Sequence, residues 1–64
     1  MTVLDLVAKL RASQYRADAV ARIVGYVVLI QRVGWEELAL SRQSRHALQK
    51  TFRSLGVDPL AVTF

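Results

Sequence analysis

Between Leu40 and Val57 the chain reads "LSRQSRHALQKTFRSLGV", and its polar side chains are nearly all hydrogen-bond donors. Arg42, Arg45, Lys50 and Arg53 carry positive charge, Gln43, His46 and Gln49 stand among them, and no Asp or Glu interrupts the stretch. Such a set does not attack or deprotonate a substrate; it grips anions and reads polar edges. An arginine forks onto guanine O6 and N7, a glutamine pairs with adenine N6 and N7, and either can hold a phosphate.

Helical periodicity sorts the stretch into two faces. Ser44, Leu48, Thr51, Phe52 and Leu55 fall on one side, the core side. Arg42, His46, Gln49, Lys50 and Arg53 fall on the other, with Gln43 beside them and Arg45 on the flank. Most charged helix faces simply keep a protein dissolved, and in those Glu and Lys usually alternate four apart. A face of one sign, without a carboxylate to neutralise it, points instead to an anionic partner.

The rest of the composition agrees. The 64 residues carry a net charge of +4, with a pI near 10.4, which favours nucleic acid first and acidic membrane second. No cysteine is present and there is one histidine, so disulfides are excluded and the residues for a metal cage are lacking. No cofactor or small-molecule ligand is indicated. Nor is an enzyme: there is no paired carboxylate cluster, no glycine-rich phosphate loop and no nucleophile-base pair.

A single domain of this size is near the lower limit for a self-sufficient core and usually needs a staple. At 53% hydrophobic, the chain has apolar surface to spare, and a second copy is the simplest cover for it. The longest uncharged run, Ile23 to Gln31, is far short of the roughly 20 residues of a membrane span. Asp5 and Lys9 break the apolar start that a secretory signal would need. A cytoplasmic, nucleoid-associated protein is expected.

Almost everything before Pro59 reads as helix, giving an all-α domain of four helices, about 3–12, 14–33, 35–39 and 42–55, with a short tail over 57–64. Thr2 is a cap for the first, which has Val3, Leu6, Val7 and Leu10 along one side and Asp5 in its first turn. Ser13 is a candidate cap for the second, and Gly34 ends it. Val20, Ile23, Val24, Val27 and Ile30 form one wide apolar face, and Tyr26, Leu29 and Val33 extend it. Strand is open for "IVGYVVLI", which is β-branched and short, but its helical surroundings favour helix.

A helix apolar on nearly all sides must be covered on nearly all sides. A dimer seam is therefore expected at Val20, Val24, Val27 and Val28, joined by Leu60, Val62 and Phe64 of a tail that is either one added strand or an extended arm docking on the core or on a partner. Ala17, Ala21 and Gly25 recur every four residues and allow close helix approach, either by the first helix or by another chain. Trp35 and Leu38 face inward from the short helix. Ser41 caps the last helix, with Ser44 at its third position, and Gly56 ends it.

"GWEELALSRQSRHALQKTFRSLGV", residues 34–57, resembles the helix-turn-helix of small bacterial and phage DNA-binding regulators. The resemblance makes Trp35–Ala39 the positioning helix and Ser41–Leu55 the recognition helix, its first residues facing bases in the major groove. Leu38 and Leu40 would lock the two together. Two departures stand out: the turn "ALS" has no glycine, and Arg45 occupies a place usually apolar. Beyond Gly56 there is no room for the two-stranded wing of a winged helix, which is expected to be absent or reduced to one strand.

The resemblance implies a homodimeric, sequence-specific regulator of transcription that binds double-stranded DNA. Arg42, Gln43, Arg45, His46, Gln49, Lys50 and Arg53 would make the contacts, and among the remaining arginines Arg16 is the foremost phosphate clamp. His46 on a polar face can equally be just solvated, and Trp35 equally a core residue. Tyr15 and Tyr26 border the seam or reach phosphate. The competing reading is a helical protein-interaction module, antitoxin- or anti-repressor-like, whose basic face is incidental. Binding flat on an anionic membrane is disfavoured because the basic helix has an ordinary core side.

Overall fold

A computed structural model describes all 64 residues. Its first helix, α1, spans Val3–Ala12. Thr2 caps it reciprocally with Asp5: the Asp5 N–H donates to Thr2 Oγ1 at 3.2 Å, and the Thr2 N–H donates to Asp5 Oδ2 at 3.1 Å.

The end of α1 corrects the expected start of the second helix. Ser13 does not cap that second helix; it closes α1. Gln14 then takes a left-handed conformation, φ 66°. Its N–H donates to the Arg11 carbonyl and that of Tyr15 to the Leu10 carbonyl, the pair of bonds of a Schellman turn. Helix α2 therefore begins three residues later than the sequence suggested and runs Ala17–Val33. Gly34 ends it at φ 79°, ψ 166°, a region essentially restricted to glycine.

The short helix expected over 35–39 is a single 3-10 turn, Trp35–Glu37, and Leu38 is extended. Three residues make too few hydrogen bonds to offset helix nucleation, and Leu38 leaves the helical path to bury its side chain. Helix α3 comes next, Arg42–Leu55. Gly56 closes it at φ 68°, ψ 31°, and the Val57 N–H reaches back to the Phe52 carbonyl at 3.0 Å. The chain is thus all-α with three helices.

The tail does dock on the chain's own core, but it is not extended throughout. Asp58 Oδ1 accepts the Leu60 N–H and starts a 3-10 turn over Pro59–Ala61. Gln31 of α2 then holds the tail: its Nε2 donates to the carbonyls of Pro59 at 2.8 Å and Val62 at 2.6 Å. Thr63 makes a parallel bridge to Thr2, with the Val3 N–H donating to Thr63 O and the Thr63 N–H to Met1 O.

Ten side chains form the core: Leu6, Leu10, Val20, Ile23, Val27, Ile30, Leu38, Phe52, Val57 and Val62. Val20, Val27 and Val62, expected on a dimer seam, are thereby corrected to interior residues. One flank of α2 meets α1 and the tail, so the apolar face needs less outside cover than its breadth implied. Of the other seam candidates, Val24 and Val28 are half-buried while Leu60 and Phe64 are exposed. Ala17, Ala21 and Gly25 are also exposed, so α1 does not fill the small-residue stripe.

Candidate nucleic-acid interface

Ser41 begins α3 by accepting the Ser44 N–H on its Oγ at 3.1 Å. The reciprocal leg differs from a capping box, because the two serine hydroxyls bond each other at 3.0 Å. Phe52 anchors the last turn of the helix at 2% exposure, with Leu48 and Leu55 packed on the core beside it. Lys9 of α1 donates from Nζ to the Leu55 carbonyl at 3.3 Å, a cation at the helix end where the dipole is negative.

That anchoring leaves Arg42, Gln43, His46, Lys50 and Arg53 exposed along the outer side. Arg45 and Gln49 are half-buried. The inward face is thus turned from Ser44, which is exposed, towards Arg45. The Arg45 stem packs down while its Nε, shielded from water, meets no acceptor. An open hollow of about 820 Å³ runs along the first half of α3, lined by Leu40, Arg42, Gln43, Arg45, His46, Ala47, Gln49 and Lys50. Six of the eight residues proposed from the sequence meet there. Arg53 continues the same face further along, and Arg16, exposed at the start of α2, does not line the hollow.

A second groove of about 350 Å³ separates α2 from α3, and it includes Tyr15, Arg22, Tyr26, Leu40, Ser44 and Thr51. It puts Arg22 and both tyrosines beside the basic helix. Sequence spacing could not single out Arg22, because which flank of α2 adjoins α3 is a tertiary fact.

The electrostatic arrangement of α3 is unlike that of the other helices. Asp5 stands in the first turn of α1, Asp18 in that of α2, and Glu36 and Glu37 in the Trp35 turn, but no acid stands in the first turn of α3. Arg42 and Arg45 stand there instead, adding to the partial positive charge of the helix start. The sum is an anion-attracting end.

Comparison with protein-family models, with curated proteins and with solved structures finds no match. The reading of this surface therefore rests on its own geometry. No group of three or more His, Asp or Glu side chains is placed to hold a metal ion, and no helix is long and apolar enough to cross a membrane.

Proposed function

We propose that the chain binds double-stranded DNA through α3, as a homodimeric regulator of transcription. The observation that carries this reading is the reversed charge at the start of α3. Both other helices have an acid in the first turn, where the dipole favours one, whereas the first turn of α3 has none and carries Arg42 and Arg45. Arrangement for helix stability would not place them there, whereas a phosphate backbone favours both the arginines and the helix start. In this reading α3 lies in the major groove with Arg42, Gln43 and His46 towards base edges. Lys50 and Arg53 lie along phosphates, and Arg22 is better placed than Arg16 to add a clamp. In this reading the Trp35–Glu37 turn stands where a helix-turn-helix has its positioning helix. Two copies would present α3 to successive major grooves about 34 Å apart.

A duplex-binding titration at several salt concentrations tests this. Phosphate contacts make the affinity fall steeply with salt, by a log-log slope of about −0.9 per contact. Arg42→Ala with Arg53→Ala should flatten that slope by about two while the circular dichroism stays helical. Negligible duplex affinity at low salt, or a double variant that binds like the parent, removes the proposal. Selecting bound duplexes from a random pool would then report the target and its half-site spacing.

A protein-interaction module is the second reading, favoured by Leu4 at 77% exposure and by Leu60 and Phe64 at 63% each. It predicts loss of partner binding on Leu60→Ser with Phe64→Ser, with the basic helix untouched.

A further inference from the structure

The outer face of α2, turned away from the chain's own core, carries Asp18, Ala21, Gly25, Leu29 and Arg32, all exposed. Their spacing, three, four, four and three, reads the same from either end and places all five on one side of the helix. Gly25 is at its centre. A two-fold axis through Gly25 that sets a second α2 antiparallel to the first brings Asp18 opposite Arg32 and Ala21 opposite Leu29. Each charge meets its opposite, and each large side chain meets a small one.

Three further features lack a cause inside a single chain. Glycine is, after proline, the least favourable residue for a helix interior, yet a Cβ at Gly25 would meet nothing within 4 Å. No neighbour in the chain needs it to be glycine; a helix crossing at close range does. Leu29 is 47% exposed next to it. The folded chain also exposes 4606 Å², above the roughly 4100 Å² expected of a compact monomer of its mass.

We infer that two copies of this chain associate through an antiparallel α2–α2 crossing centred on Gly25. Leu29 of each copy seats on Ala21 of the other, and Asp18–Arg32 pairs close both ends. The seam differs from the valine face expected from the sequence, three of whose members lie in or border the core. It rests on the reading that two copies act together, and it is independent of whether they bind DNA.

Sedimentation equilibrium of the full chain without DNA tests it, with circular dichroism to follow the fold. At micromolar concentration the chain should sediment at twice its 7.2 kDa mass. Gly25→Leu should give a monomer that keeps its helix content, because the space over Gly25 is open within the chain. Asp18→Arg and Arg32→Asp should each weaken the dimer roughly tenfold or more by setting like charges together, and the double exchange should restore most of it. A chain that stays at its monomer mass overturns both the seam and the pairing. A dimer that tolerates all these changes leaves the pairing standing but overturns the seam. DNA binding is judged separately, by the α3 substitutions.

Discussion

The rings of Trp35 and Phe52 meet edge to face, with centroids 6.2 Å apart and planes 77° apart. Trp35 opens the 3-10 turn after α2, and Phe52 is the most buried side chain of α3, so this contact ties the connection to the basic helix. Aromatic pairs in this geometry add about 0.5–1.5 kcal/mol beyond the area they bury.

Phe52→Ala should therefore cost about 3–5 kcal/mol. A small domain has little more than that in total, so the thermal transition should broaden or vanish in circular dichroism. Phe52→Leu, which keeps most of the volume, should retain a cooperative transition at lower temperature. A melt of Phe52→Ala like that of the parent would show that the core is not organised around this ring.

Gln14 and Gly56 end α1 and α3 with similar left-handed backbones, φ 66° and 68°. Only glycine adopts that conformation without steric penalty, which for other L-residues is roughly 1–2 kcal/mol. Gln14→Gly should stabilise the fold by up to about 1 kcal/mol after its added unfolded-state entropy is counted. Gly56→Ala should destabilise it by a similar amount. Urea melts read both signs, and the pair should move in opposite directions.

Arg42→Glu separates helix stability from function. An acid in the first turn is worth about 0.3–1 kcal/mol to a helix, so the variant should melt higher than the parent. Duplex affinity should fall at the same time, since the anion-attracting end is reversed. Stability and binding moving together would argue that α3 only needs to be folded.

Asp5 holds a carboxyl below its ordinary range, chiefly because the Thr2 backbone N–H donates to it, then because of the Thr2 hydroxyl. A depressed folded pKa adds stability that is complete above the unfolded value, about 3.9. It is lost as pH falls through the folded value. Acid melts of Asp5→Asn should lack that part of the pH dependence. Thr2→Ala keeps the backbone N–H and should lose only the smaller, hydroxyl part of it, while at neutral pH it should cost about 1 kcal/mol as a lost cap.

Gln31 joins α2 to the tail through two carbonyls, at Pro59 and Val62. Gln31→Leu removes both donors, leaving carbonyl groups unpaired. Amide exchange at Val3 and Thr63, whose bridge depends on the docked tail, should speed up well before exchange in the middle of α2. Unchanged protection at those two amides would place the tail's stability in Val62 burial alone.

The sequence by itself determined what depends on neighbours along the chain. Thr2 and Ser41 place the starts of α1 and α3, and Gly34 and Gly56 place the ends of α2 and α3, because caps are satisfied within a few residues. The single-sign face from Arg42 to Arg53 is equally local, since helical geometry alone puts those side chains together. Ser13 misleads because serine suits either end of a break, and only the left-handed Gln14 shows which helix it closes. Tertiary structure alone decided which apolar residues are used up inside the chain. Val20, Val27 and Val62 look no different in the sequence from Leu29 or Phe64. Burial is settled by which surface another element happens to cover: here α1 and the tail cover one flank of α2 and leave the Gly25 face open.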